Sequence, residues 1–169
     1  MYFKSYLFRL ISILTLLLLL NKVYSQDFTI AELLSFQKLN KNSLELYLTN
    51  KGYKLDEYTS QNNDNERKSF KKFDFLDRIH FSIFTFDVNN SAQITSISYE
   101  FNRNIIYHNL FTQIKNLKFK LLEHAEGDFG TDIYVYLKDK IEIRAQEQPE
   151  GHNSSCENCT YYYINLYFK

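Results

Sequence analysis

The sequence predicts an α+β fold, with one antiparallel sheet of about eight strands and short helices packed on one of its faces. Three observations carry that prediction. Helix starts and a helix stop are written into the local sequence between Thr29 and Tyr53. Beyond them the apolar pattern changes to a two-residue alternation, in a chain with 15 Phe and 14 Tyr but only one Pro and four Gly, which favours long strands. Finally, the order of helix followed by strands occurs twice, at a spacing of 66 residues.

The chain opens with an address. Lys4 and Arg9 precede an uncharged apolar run from Leu10 to Leu20, and Val23-Tyr24-Ser25 supplies the residues of a cleavage site before Gln26. This is the build of a signal peptide over residues 1–25. Its apolar run is shorter than the roughly 20 residues of a membrane-spanning helix. The expectation is an exported protein, periplasmic or extracellular, with a single domain over 26–169 and no stable membrane insertion after cleavage. The formal charge of the full chain is zero, but Lys4, Arg9 and Lys22 leave with the leader and no acid does, so the remaining body carries −3. Such an unclustered acidic balance gives no footprint for nucleic acid.

The first element starts at Thr29-Ile30-Ala31-Glu32, a capping box with Phe28 and Leu33 at the staple positions, and a short helix is expected over 30–38. Asn42 is read as the cap of a second helix, with Leu44, Tyr47 and Leu48 on one face. Gly52 then stands at the helix stop, with Tyr53 folding back on Leu48. Strands follow over 53–59 and 69–75 around a polar loop, Gln61 to Arg67, and over 80–88 and 93–101 around Asn89-Asn90-Ser91-Ala92. In the strand at 80–88 apolar residues fall on both faces, so a central strand covered on both sides is expected. The cycle restarts with a helix over 104–116, on which Ile106, Leu110 and Ile114 recur at helical spacing, and four strands over 119–125, 132–137, 141–146 and 160–168.

A shift of 66 residues aligns Leu44 with Leu110, Leu48 with Ile114, Tyr53 with Phe119, Lys54 with Lys120 and Leu55 with Leu121. Half-repeats over 26–101 and 102–169 are therefore expected. On the corners Gly52-Tyr53-Lys54-Leu55 and Lys118-Phe119-Lys120-Leu121, and on the order of elements, the chain resembles the tandem αβ repeat of the β-lactamase-inhibitor-like proteins. The resemblance implies an exported protein that binds a partner on the open face of its sheet. It transfers no binding residue.

Motifs for chemistry are few. Cys156-Glu157-Asn158-Cys159 reads as a disulfide in an oxidising compartment, with free thiols, a metal site and a redox pair as the alternatives. The redox reading needs a helix after the first cysteine, whereas Tyr161 to Leu166 reads as strand; the metal reading has only His152 as a further ligand. His80, His108, His124 and His152 are scattered, and no nucleophile, zinc or phosphate-loop motif accompanies them. Glu123, Glu126, Asp128 and Asp132 gather around Gly127 and Gly130, a pattern that reads as a hairpin turn and does not match a calcium loop. Asn89-Asn90-Ser91, Asn153-Ser154-Ser155 and Asn158-Cys159-Thr160 match the glycosylation pattern, which arises readily in an Asn-rich chain. No cofactor is expected.

The tyrosines offer more. Tyr161, Tyr163 and Tyr167 share one face of the last strand, and Tyr134 and Tyr136 alternate with Ile133, Val135 and Leu137. An aliphatic face turned to the helices and a Tyr-plus-charge face turned to solvent is the expected solution. Tyrosine offers large contact area and a polar tip, so these five are the candidate partner-binding residues. The competing reading is that they only stabilise a wetted sheet face. Together these features point to a non-enzymatic exported binding module for a protein or other envelope component. The alternative is a small envelope hydrolase or transferase, its site assembled from distant histidines and acids.

Overall fold

The computed structural model describes residues 27–61, 65–73, 81–149 and 160–169. The leader over 1–25, Cys156 and Cys159, His80 and His152, and the sequons at Asn153 and Asn158 lie outside the described residues.

Thr29 begins the fold as predicted. Its hydroxyl accepts a bond from the Glu32 backbone N–H at 3.1 Å, and its own N–H donates to the Glu32 carboxylate at 2.7 Å. Helix α1 spans Ile30–Ser35 and tightens into a 3-10 turn over Phe36–Lys38. Helix α2 spans Lys41–Asn50. Its cap is Asn40 and not Asn42: the Asn40 side chain takes the Ser43 N–H at 2.9 Å, and Asn40 also bridges to Gln93, which fixes the extended backbone a cap needs. The stop falls at Gly52, with φ +88, where the Tyr53 N–H reaches the Leu48 carbonyl at 3.0 Å.

Eight strands follow: β1 Lys54–Gln61, β2 Asn65–Phe73, β3 Phe81–Asn89, β4 Ile94–Phe101, β5 Lys120–Glu126, β6 Asp132–Lys138, β7 Ile141–Gln148 and β8 Tyr161–Phe168. Helix α3, Asn104–Asn116, stands between β4 and β5. The strands form one antiparallel sheet in the order β1-β2-β3-β4-β8-β7-β6-β5. Each half is therefore a four-stranded meander, and the two join where β4 pairs with β8. Strand β2 begins earlier than its polar sequence suggests, because Glu66 and Arg67 have cross-strand partners in Val88 and Asp87.

The halves match in detail at the 66-residue spacing. Lys118 has a left-handed φ of +62 where the first half has Gly52, and the Phe119 N–H reaches back to Ile114 as Tyr53 does to Leu48. A bulge interrupts β1 between Leu55 and Glu57, and β5 between Leu121 and Glu123. These are the two edge strands, and a bulge with flanking charges discourages pairing with another chain.

All three helices lie on one face, over a core led by Phe84, Phe86, Ile97, Tyr99, Ile164 and Leu166. Helix α1 has no counterpart in the second half. It fills the valley between α2 and α3: the Ile30 N–H donates to Gln113 of α3 at 2.9 Å, and fully buried Phe28 meets Phe36, Tyr53, Phe84 and Tyr99 with ring centroids 5.1–5.7 Å apart. Beside it, Asp27 accepts bonds from the Tyr53 hydroxyl at 2.9 Å and from Ser82 at 3.2 Å, and pairs with Lys72.

Strand β3 is interior, as expected, but its cover is one-sided. Ser82, Phe84, Phe86 and Val88 are buried under the helices, whereas Phe81, Ile83, Thr85 and Asp87 are only half-buried. The second face of the sheet is the place to look for function.

Candidate functional site on the open sheet face

Cross-strand partners in an antiparallel sheet share a face, so the register assigns each side chain. One row runs Ser69, Thr85, Ser98, Asn165, Arg144 and Val135 from β2 to β6. The next row runs Arg67, Asp87, Ser96, Tyr167, Glu142 and Leu137. On the other side of the first row lie Lys71, Ile83, Glu100, Tyr163, Gln146 and Ile133. The middle of the face is thus floored by small polar side chains and bordered by larger ones.

Two adjoining grooves result. One, of about 370 Å³, has Ser69, Thr85, Ser98 and Asn165 on its floor; the other, of about 440 Å³, lies toward Thr95, Glu142 and Lys169. Arg67, Asp87, Ser96 and Tyr167 line both. The charges are held in fixed positions. Arg67 donates through Nε and Nη2 to Asp87 at 2.7 and 3.0 Å, and the Ser96 hydroxyl donates to the same carboxylate at 2.6 Å. Glu142 accepts from Arg144 Nε at 2.7 Å and from Lys169 Nζ at 2.5 Å. The Arg144 guanidinium lies over the Tyr167 ring, 5.2 Å from its centroid.

Asp87 is held below the usual carboxylate range, since the bonds from Arg67 and Ser96 outweigh the opposing effect of burial. Glu142 is lowered by its bonds to Lys169 and Arg144. Glu100 goes the other way. Burial raises its pKa, with the Lys71 charge opposing. Burial also pushes the facing Tyr163 up to about 12, with the Glu100 charge adding to the effect.

The five candidate tyrosines divide. Tyr163 and Tyr167 lie on the open face, half-buried and exposed. Tyr161 shares that face but is buried, packed on Phe81 at 5.8 Å. Tyr134 and Tyr136 belong to the helix face, contrary to expectation. Tyr136 pairs with Ile143 and Tyr134 with Ala145, so both must point with the core; Ile133, Val135 and Leu137 take the open face instead. Phe111 of α3 packs edge-on against both rings, at 5.0 and 5.8 Å. Among the described residues the second half has one α-helix where the first has two, and large aromatic side chains fill the difference.

Among the described residues, the histidines and the acids around Gly127 do not come together in either groove. His108 is exposed on α3. His124 stacks on Tyr134 at 4.2 Å and lies 3.1 Å from Asp132, but on the exposed edge strand, and neither groove is lined by a histidine. Glu123 and Glu126 are exposed on the same edge, and Asp128 carries the 3-10 turn to Gly130 as a hairpin connection. No group of three or more metal-ligating side chains forms among the described residues, and no helix among them is long and apolar enough to cross a membrane.

Sequence reasoning missed the groove itself. Arg67 looked like loop, and Ser69, Thr85, Ser98 and Asn165 are single polar residues on four strands, aligned only by register. Comparisons with family models, curated proteins and solved structures find no match for this chain.

Proposed function

We propose that the chain is an exported, non-enzymatic binding module that engages a protein partner with its open sheet face. One observation carries this reading: among the described residues the helices cover one face only, and the other presents a trough of small polar residues bordered by Tyr167, Tyr163 and paired charges. Small floor residues let a partner's backbone approach the sheet, while the aromatic border supplies contact area at low entropic cost. Cross-bonded Arg67–Asp87 and Arg144–Glu142 pairs hold the border rigid before a partner arrives, which lowers the ordering cost of association. The sequence resemblance to the β-lactamase-inhibitor-like proteins and the leader-like residues 1–25 are the further supports of this reading.

Capture from the envelope fraction of the source organism tests this, with wild type against the Tyr163→Ala, Tyr167→Ala double variant. The expected result is a protein retained by wild type and lost by the variant, both proteins giving the same circular dichroism. Equal capture by the two, or a partner that protects only the helix face from hydrogen exchange, overturns the proposal.

A further inference from the structure

We propose that the groove beside Tyr167 seats a single carboxylate side chain, an Asp or Glu on a loop of the partner protein, against the free edge of Arg144; the inference rests on the open-face reading above. The geometry separates what the groove keeps from what it offers. Asp87 and Glu142 are engaged from within: Asp87 accepts three hydrogen bonds from Arg67 and Ser96, and Glu142 accepts one from Arg144 and one from Lys169. The cations are not fully used. Arg144 uses only Nε, so both of its Nη groups are without an acceptor among the described residues, as is Nη1 of Arg67 on the neighbouring wall.

A guanidinium held through Nε and laid on an aromatic ring has a favoured orientation, which turns its remaining N–H fork outward. That fork matches a carboxylate, and Tyr167 lines the same groove. Lys169, 60% exposed at its side chain, adds positive charge to the same groove. Glu57 on the wall near Arg67, and Glu123 acting on Arg144 from farther off, make the surroundings unwelcoming to a polyanion. One acid fits, and a run of acids does not.

The test is a nuclear magnetic resonance titration of the isotope-labelled protein. The probes are N-acetylglutamate N-methylamide, its glutamine counterpart and inorganic phosphate, each against wild type and Arg144→Met. Saturable shifts at Ser96, Arg144 and Tyr167 are expected with the glutamate probe. At least tenfold weaker binding is expected for the glutamine probe and for the variant. Equal binding of the two amides, no saturation, an unaltered Arg144→Met response, or tighter binding of phosphate overturns the proposal. Should Arg144→Met not fold, the amide comparison on wild type decides alone. A partner captured through Tyr163 and Tyr167 without any carboxylate response would leave the binding module standing and remove this inference only.

Discussion

Gly52 and Lys118 hold the same corner 66 residues apart, both with left-handed backbone, and only one of them is a glycine. A side chain at such a φ costs about 1 kcal/mol. Lys118→Gly is therefore expected to stabilise the fold by about 0.5–1 kcal/mol, and Gly52→Ala to destabilise it by about 1 kcal/mol. A Cβ at Gly52 would meet only the end of the Lys72 side chain, at an ordinary contact distance of 3.9 Å, so backbone strain is what this pair of variants measures. Urea denaturation of the two checks it.

Tyr53 and Tyr99 are both buried, but their hydroxyls differ. That of Tyr53 bonds Asp27 and Ser82 at 2.9 and 2.7 Å, whereas that of Tyr99 has no partner of normal geometry among the described residues. Tyr53→Phe is expected to cost about 1–2 kcal/mol, and Tyr99→Phe to be neutral or slightly stabilising. Equal losses in thermal or urea unfolding would contradict the assignment of the cluster.

Glu142 has a lowered pKa in the folded state. Its contribution is present above the unfolded value and is lost as pH falls through the folded one. Both cationic partners are half-exposed or more, so solvent screening limits the loss in Glu142→Gln to about 1 kcal/mol at neutral pH. The difference from wild type should close as the solution is taken below the carboxylate range, which a series of denaturation curves would show.

Glu100 predicts the opposite slope. Its raised pKa means that the folded state holds the proton more tightly than the unfolded chain does, so stability falls as pH rises from the unfolded value through the folded one. Glu100→Gln removes that slope and is expected to be more stable than wild type at neutral pH, with the two converging in acid. A variant less stable than wild type at pH 7 would show that the carboxylate has a favourable role.

Most of the fold was legible because its signals are local. The Thr29–Glu32 box, the Gly52 corner and the alternation in β3 and β8 each depend on a few neighbouring residues. Assigning faces is a different problem. Alternation in β6 separates Tyr134 and Tyr136 from Ile133 and Val135, but it is pairing with Ile143 and Ala145 that decides which set meets the helices. Hydrophobicity alone chose the aliphatic set, and the space under a lone α3 chose the aromatic one. The groove was hidden for the same reason, since Ser69, Thr85, Ser98 and Asn165 become neighbours only when four strands are in register. The burial of Tyr161 and the capping by Asn40 also depend on context: Tyr161 keeps its expected face but is packed on Phe81, and Asn40 caps α2 while bridging to Gln93.

Strand β8 follows every other strand in the sequence, yet it stands in the middle of the sheet, between β4 and β7. Until it arrives, β4 and β7 each have an open edge bearing buried-type residues such as Ile97, Tyr99, Ile143 and Ala145. Assembly therefore has to wait on contacts distant in sequence, which slows folding and exposes sticky edges meanwhile. Two look-alike meanders are in this way bound to a common fate: the strand that joins them is the last to be made.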